Sequence, residues 1–248
     1  MTVSFQLYSA RNFQPWADVL KMISGVGYKN VEGFGGVYED PKAFRALMDQ
    51  NGLAMPSGHF AMDMLENDFS TAVSIAKDLG VETIICPFLM PDDRPGDSAG
   101  WVDFAHRLAA VGDKCKDAGF RFAWHNHDFE FKALPDGQVP QEIILENAPN
   151  IGWEMDVAWV VRGGADPFAW IERFGPRIWI AHVKDIAPEG DCKDEDGWAD
   201  LGEGVMKWDE LLAGLKSRGQ TALFVMEHDK PSDAHRFASR SFQNFKKL

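Results

Sequence analysis

The chain has 248 residues, of which 45% are hydrophobic and 25% charged, a composition typical of a globular protein. Its formal net charge of −13 repels phosphate backbones and argues against a nucleic-acid partner. No apolar run reaches the roughly 20 residues of a membrane span, so we expect no membrane partner. The N-terminus lacks the regions of a signal peptide, and the three cysteines are widely spaced. We therefore expect a cytoplasmic protein.

Short apolar runs alternate with longer amphipathic segments along the whole chain. In the first half the predicted order is strand 3–8, helix 15–24, strand 30–34, helix 41–51, strand 53–60, helix 70–79, strand 81–88 and helix 101–118. In the second half it is strand 120–127, helix 141–147, strand 151–156, helix 167–174, strand 177–184, helix 208–217, strand 221–227 and helix 232–246. Residues 87–100 and 185–200 are predicted loops.

Eight strand–helix units in this length indicate an α/β protein with parallel strands, and they match the (β/α)₈ TIM barrel. An open doubly wound sheet is the alternative, but no glycine-rich phosphate motif follows the first strand, which weakens it. No linker or change of composition divides the chain. We therefore predict one barrel domain over residues 1–248.

Histidines and carboxylates recur where the predicted strands end. The segments are 31–34 (VEGF), 57–60 (SGHF), 125–131 (HNHDFEF), 154–156 (EMD), 182–185 (HVKD) and 226–229 (MEHD). Active sites of barrels lie at the carboxyl ends of the strands. These side chains are therefore expected to converge on one site.

The alternation of side chains along a strand shows which of these residues share a face. The pairs are His125 with His127, Glu154 with Asp156, His182 with Lys184, and Glu227 with Asp229. If Asp156, His182 and Glu227 point inward, they bring two oxygens and one nitrogen to a single point, a donor set suited to Mn²⁺, Mg²⁺, Co²⁺ or Zn²⁺. By the same alternation His228 points outward, and Glu154 either bears on the site or braces the barrel interior.

Taken together and in order, these motifs resemble the sugar phosphate isomerase/epimerase family, which has a xylose-isomerase-like TIM barrel. The segments that carry the resemblance are HNHDFEF at 125–131, MDVAWV at 155–160, HVKD at 182–185, LGEG at 201–204 and ME at 226–227. The resemblance implies one divalent metal held by residues from the last four strands, and the predominance of carboxylates among the candidate ligands favours Mn²⁺. Three of these ligands would be Asp156, His182 and Glu227.

The fourth ligand is the point at which this chain departs from the family. Many relatives have a glutamate at the end of the fifth strand, where this chain has His125. Glu130 is the nearest carboxylate in the motif, and we expect it to be the ligand, with His125 as the alternative. We expect the catalytic groups to be Glu227, His127 and Glu130.

Other polar residues at the strand ends are candidates for contact with the substrate. We expect His59, His125, Lys184 and Glu32 to bind it. Tryptophans are a further candidate for stacking on a sugar ring, and those near the strand ends or their loops are Trp16, Trp124, Trp159 and Trp198.

The function implied is a sugar isomerase or epimerase that removes a proton next to a carbonyl, where a metal stabilises the enediolate. The alternative is a dehydratase or lyase that acts on a 3-keto sugar or glycoside through the same site. A DNA-repair endonuclease would need a basic groove, which a charge of −13 opposes. The expected partner is a small sugar, unphosphorylated because Lys184 is almost the only basic residue in these motifs, and a homo-oligomer is possible.

Overall fold

A computed structural model describes all residues 1–248 and shows a closed barrel of eight parallel strands. Two further short strands, β8 (Asp185–Ile186) and β9 (Trp198–Ala199), form a separate antiparallel pair. The barrel strands are β1 (Thr2–Gln6), β2 (Asn30–Gly33), β3 (Ala54–His59), β4 (Thr83–Cys86), β5 (Arg121–His125), β6 (Gly152–Asp156), β7 (Ile178–Val183) and β10 (Leu223–Met226). All eight lie within predicted strands or within one residue of them, so the predicted fold class is confirmed.

The strands follow one another around the barrel in chain order, and β1 pairs with β10 to close the ring. The register places residues of neighbouring strands at the same level. Gln6 lies opposite Glu32, His125 opposite Glu154, and Asp156 opposite His182. The inward-facing residues of one level therefore form a layer across the barrel.

Ten α-helices surround the barrel. They are α1 (Trp16–Val26), α2 (Pro41–Gln50), α3 (Met62–Asn67), α4 (Phe69–Leu79), α5 (Ser98–Asp117), α6 (Pro140–Asn147), α7 (Val157–Arg162), α8 (Pro167–Phe174), α9 (Trp208–Arg218) and α10 (Ala234–Phe245). The short helices α3 and α7 were not predicted, and β8 (Asp185–Ile186) with β9 (Trp198–Ala199) lies in a predicted loop. None of the helices combines the length and apolar composition needed to cross a membrane.

Local sequence signals explain where several helices begin and end. Asp40 precedes α2 and its Oδ1 accepts a hydrogen bond from the backbone N–H of Ala43 at 3.0 Å, while Pro41 occupies the first turn. Such a cap satisfies a backbone donor that has no partner within the helix. Gly80 ends α4 with φ of 79°, a left-handed conformation that glycine adopts at little cost.

The apolar core has two parts with different positions. A cluster of 58 buried residues fills the layer between barrel and helices. A smaller cluster inside the barrel consists of Ile85, Ala123, Ile180, Leu223 and Val225. These five side chains close the lower barrel, so that the polar residues nearer the carboxyl ends of the strands lie on an apolar floor.

Candidate metal and active site

A cavity of about 420 Å³ opens at the carboxyl ends of the strands. Its base is polar and is formed by His59, His125, His127, Glu227 and Asp229. Its wall is mostly apolar and contains Tyr8, Phe34, Tyr38, Phe60, Met64 and Phe88. No lysine or arginine lines the cavity. Such a pocket suits an uncharged ligand that presents hydroxyl groups on one side and carbon on the other.

The oxygen-rich donor group consists of Asp156, His182 and Glu227, and their ligand atoms lie within 4.8 Å of one another. His182 Nδ1 is 3.0 Å from Glu227 Oε2 and 3.9 Å from Asp156 Oδ2. These residues come from β6, from β7 and from the end of β10. The structure thus brings together three of the predicted metal ligands.

Asp156 ends β6 and begins α7, which fixes its position. Its Oδ1 accepts a hydrogen bond from the backbone N–H of Trp159 at 2.9 Å. The other oxygen, Oδ2, has no hydrogen bond of acceptable geometry, although Lys184 Nζ is 2.9 Å away. One carboxylate oxygen is therefore engaged as a helix cap, and the second has the Lys184 ammonium as its nearest cation.

Lys184 provides a cation inside this group. Its ammonium lies 2.8 Å from Glu227 Oε2 and 2.7 Å from Asp229 Oδ2, and its side chain is fully buried. A buried charge is tolerated only with opposite charges close by. Lys184 therefore neutralises part of the carboxylate cluster. It does not line the cavity in which we expected it to bind the substrate.

The nitrogen-rich donor group consists of His59, His125, Glu154 and His182. Glu154 Oε2 lies 2.7 Å from His59 Nε2, 3.1 Å from His125 Nδ1 and 3.3 Å from His182 Nε2. All four residues point into the upper barrel from β3, β5, β6 and β7. The two donor groups share His182, which faces each with a different ring nitrogen.

Glu32 lies beneath the histidines and has four partners. Its oxygens accept hydrogen bonds from Gln6 Nε2 at 2.8 Å and from the Ser57 hydroxyl, and Oε1 lies 2.7 Å from His182 Nε2 and 3.2 Å from His59 Nε2. Glu32 is completely buried and does not line the cavity. The sequence had suggested that Glu32 binds the substrate, but in the structure its side chain does not form part of the cavity.

Burial and neighbouring charges shift the pKa of each acid in opposite directions. Burial raises the pKa of Asp156 to about 7, although Lys184 acts against it. Burial also acts to raise the pKa of Glu227, but Lys184 and His182 outweigh it, so the pKa of Glu227 lies well below its ordinary value. The cluster contains more carboxylates than cations, which favours a bound divalent ion.

The histidines at the base of the cavity also differ in charge. Burial and the positive charge of Lys184 lower the pKa of His127 to about 3. Burial acts to lower the pKa of His59, but Glu154 and Glu32 raise it to about 9. At neutral pH His127 is therefore neutral and can accept a proton, whereas His59 carries one when no metal replaces it.

Glu130, expected to be a metal ligand and a catalytic group, lies outside both donor groups and outside the cavity wall. It belongs to a short 3₁₀ helix, Phe129–Phe131, and its Oε2 accepts a hydrogen bond from the backbone N–H of His127 at 2.9 Å. Because β5 ends at His125, strand alternation no longer determines where later side chains point. Glu130 supports the loop that carries His127, and we no longer assign it to the metal.

The alternative fourth ligand, His125, does lie in the site but within the nitrogen-rich group. His228 points away from the cluster, as predicted, and packs on Phe237 of α10 with a ring-centroid distance of 5.5 Å. None of the tryptophans lines the cavity. The aromatic wall comes instead from tyrosines and phenylalanines.

Sequence reasoning missed that wall and the full role of Glu154. Tyr8, Phe34, Phe60 and Phe88 each lie one to three residues beyond a barrel strand, so their position after strands β1 to β4 was a usable signal. Glu154 was recognised as facing inward with Asp156. Its contacts with histidines from β3 and β7 depend on how the strands tilt around the barrel.

The comparisons with known proteins agree with this architecture. The sequence model of the xylose isomerase-like TIM barrel family matches residues 20–248. An inosose dehydratase from Lacticaseibacillus casei is 19% identical over 243 residues, which covers 85% of this chain and 81% of that protein.

Two solved structures share the fold at low sequence identity. A sugar phosphate isomerase/epimerase from Parabacteroides distasonis superposes with a TM-score of 0.80 at 22% identity, over 97% of this chain and 91% of that one. The IOLI protein with a bound zinc atom superposes with a TM-score of 0.76 at 17% identity, over 100% of this chain and 96% of that one.

Proposed function

The chain belongs to the xylose isomerase-like TIM barrel family, and we propose that it is a metal-dependent dehydratase that removes water from a keto sugar or keto cyclitol. The observation that carries the proposal is a three-donor metal group beside a cavity whose base also holds a neutral histidine and a second carboxyl group. The relative named inosose dehydratase supports elimination over the isomerisation expected from the sequence.

The donor set fits a divalent metal. Asp156, His182 and Glu227 offer two oxygens and one nitrogen, a combination that suits Mn²⁺ or Mg²⁺. Asp156 Oδ2 is buried, makes no hydrogen bond and lies 2.9 Å from the Lys184 ammonium, so this oxygen already faces a cation. Three protein ligands leave coordination positions for a substrate, and a bound metal would act there as a Lewis acid on the carbonyl.

His127 is proposed to take the proton next to the carbonyl. It lines the cavity, and its buried Nδ1 has no hydrogen-bond partner. Burial and Lys184 lower its pKa to about 3, so the imidazole is neutral at neutral pH but is a weaker base than an unperturbed histidine. A neutral imidazole within reach of the carbon acid can act as a general base.

Asp229 is proposed to protonate the leaving hydroxyl group. It lines the cavity, and burial raises its pKa even though Lys184 Nζ lies 2.7 Å away and acts against this shift. Both shifts favour the uncharged form, a neutral imidazole at His127 and a protonated carboxyl group at Asp229. The proton lost from carbon goes to His127, the hydroxyl group leaves as water with the proton of Asp229, and an unsaturated ketone remains.

The reaction can be tested with 2-keto-myo-inositol and a panel of 3-keto sugars, using metal-free protein reloaded with Mn²⁺ in D₂O. NMR should show an unsaturated ketone, and chelation should stop its formation. His127→Gln should lower kcat by about 100-fold or more, whereas the control His106→Gln, an exposed histidine of α5, should leave it unchanged.

The outcomes separate the candidate reactions. Deuterium entering the substrate carbon without loss of water would support an isomerase or epimerase, which shares the first step but returns the proton to carbon. If no member of the panel shows either deuterium exchange or elimination, both reactions are excluded.

A further inference from the structure

Three members of the nitrogen-rich donor group, His59, His125 and Glu154, have no role in the proposed reaction. Its four residues, His59, His125, Glu154 and His182, have ligand atoms within 4.8 Å of one another. We propose that this group is a second metal site, which binds an ion of the zinc type beside the catalytic one. The site is nearly closed, since His59 is 10% exposed at its side chain and the other three are 2% exposed or less.

The donor spacing is close to what a tetrahedral ion requires. Zinc binds nitrogen and oxygen at about 2.0–2.2 Å, so neighbouring donors of a tetrahedron are about 3.3 Å apart. Glu154 Oε2 already lies 2.7, 3.1 and 3.3 Å from nitrogens of His59, His125 and His182 respectively. These three distances are close to the tetrahedral spacing, and all the ligand atoms lie within 4.8 Å of one another.

Two atoms of the group are buried without a hydrogen-bond partner. His125 Nδ1 and Glu154 Oε1 are buried and make no hydrogen bond. An unsatisfied buried polar atom carries a free-energy cost. A metal bound to His125 Nδ1 and to the Glu154 carboxylate would remove that cost at both residues.

Glu32 supplies further negative charge to this site. Its Oε1 faces His59 Nε2 and His182 Nε2, the two nitrogens that would bind the ion. When those nitrogens bind metal, Glu32 keeps its hydrogen bonds from Gln6 and Ser57. The charges of Glu32 and Glu154 together then balance one divalent ion, which is the usual condition for a buried charge.

The two groups should prefer different metals. Three imidazoles and one carboxylate suit Zn²⁺ or Co²⁺, and a four-ligand site is closed, whereas the three-donor group is rich in oxygen and open. They meet at His182, whose Nε2 faces Glu154 while Nδ1 faces Glu227. Filling both sites therefore requires His182 to bind through both nitrogens as an imidazolate, with release of its ring protons.

The test is a titration of the metal-free full-length protein with Co²⁺, followed by visible absorption and by metal analysis of the dialysed protein. We expect two equivalents, one of which gives the intense absorption of four-coordinate Co²⁺. Glu154→Gln and His59→Gln should each lose that absorption and one equivalent but retain the other. Asp156→Asn should show the reverse, and the exposed control His106→Gln should keep both.

Binding of a single equivalent by the wild-type protein, or intense absorption that persists in both Glu154→Gln and His59→Gln, would overturn the proposal. The wild-type stoichiometry decides the question even if a variant fails to fold, which circular dichroism would show. The readout does not depend on turnover. A protein with two ions and no dehydratase activity contradicts only the proposed function, and an active protein with one ion contradicts only the second site.

Discussion

Asn126 binds the backbone of Asp156 through both ends of its amide. Asn126 Oδ1 accepts a hydrogen bond from Asp156 N at 3.0 Å, and Nδ2 donates to the Asp156 carbonyl oxygen at 3.1 Å. The same Oδ1 accepts a hydrogen bond from Trp153 Nε1 at 2.8 Å. Asn126 is completely buried, so these contacts fix β5 against β6 at the level of the proposed metal ligand.

We therefore expect Asn126→Ala to be strongly destabilising and to weaken metal binding. The substitution leaves the indole N–H and two backbone groups buried without partners, which should cost about 2–4 kcal/mol. Urea unfolding and Co²⁺ titration measure the two effects. Asn150→Ala is the control, because Asn150 also donates two hydrogen bonds, at 2.8 Å each, but at the surface. Equal stability of the two variants would contradict this account.

Lys184→Met should make the protein depend on metal for its stability. The variant leaves Asp156, Glu227 and Asp229 without their buried cation, and removal of one partner of a buried ion pair costs about 3–5 kcal/mol. A divalent ion can replace the lost charge. The rise in Tm on addition of Mn²⁺ should therefore be larger than in the wild-type protein.

The control for this prediction is Lys207→Met, since Lys207 is exposed and only pairs with Glu210 at 3.3 Å. That variant should respond to Mn²⁺ like the wild-type protein. A Lys184→Met variant with unchanged Tm in the absence of metal would show that Lys184 is not the main counter-ion of the cluster.

Glu130 should give the folding stability a dependence on pH. Burial raises its pKa from 4.5 to about 8 in the folded protein, so the folded state retains a proton that the unfolded chain has lost. The free energy of unfolding should therefore fall as the pH rises from 4.5 to about 8, by an amount on the order of 5 kcal/mol, and change little from this source above that range.

Urea unfolding at pH 5, 7 and 9 would measure this effect. Glu130→Gln should remove the part of the decline that comes from Glu130, because the amide does not ionise and can still accept the hydrogen bond from His127 N. The raised pKa of Asp156 contributes a decline that stays in both proteins. The exposed control Glu189→Gln should leave the decline intact. Parallel pH profiles for the wild-type protein and Glu130→Gln would rule out the assignment.

Tyr38 and Gly58 form a steric pair beside the cavity. A Cβ atom on Gly58 would lie 2.5 Å from Tyr38 Oη, and this hydroxyl is buried without a hydrogen-bond partner. Gly58→Ala should therefore cost about 1–3 kcal/mol through overpacking. Tyr38→Phe should be neutral or stabilising, because it removes an unsatisfied polar atom.

The double variant Gly58→Ala with Tyr38→Phe should recover most of the loss, since the clashing oxygen is gone. A double-mutant cycle from thermal or urea unfolding measures this coupling. Additive effects of the two substitutions would mean that the clash is relieved in another way.

The fold and three proposed ligands could be predicted because the signals are local. A period of two along a strand places Glu154 with Asp156 and His182 with Lys184, and the barrel brings all strand ends to one face. Glu130 could not be placed in this way, because the chain leaves β5 at His125 and turns into a 3₁₀ helix.

Contacts across the barrel were also beyond reach of the sequence. The 2.7 Å contact between His59 and Glu154 joins β3 to β6, which are not adjacent. It depends on strand tilt, which leaves no periodic trace in the sequence. The pairing of Lys184 with three carboxylates likewise needed their depths in the barrel.

The pairing of β1 with β10 joins residues near the two ends of the chain, such as Phe5 and Met226. The nitrogen-rich donor group takes His59 from β3 and its other members from β5, β6 and β7, so β4 lies between its parts. An incompletely formed ring does not hold these residues in place. A metal that binds only the closed ring stabilises it by mass action, about 2.7 kcal/mol at a free concentration of 100 Kd. Metal supply would then set the lifetime of the protein against proteolysis as well as its activity, because a protease acts on the opened chain.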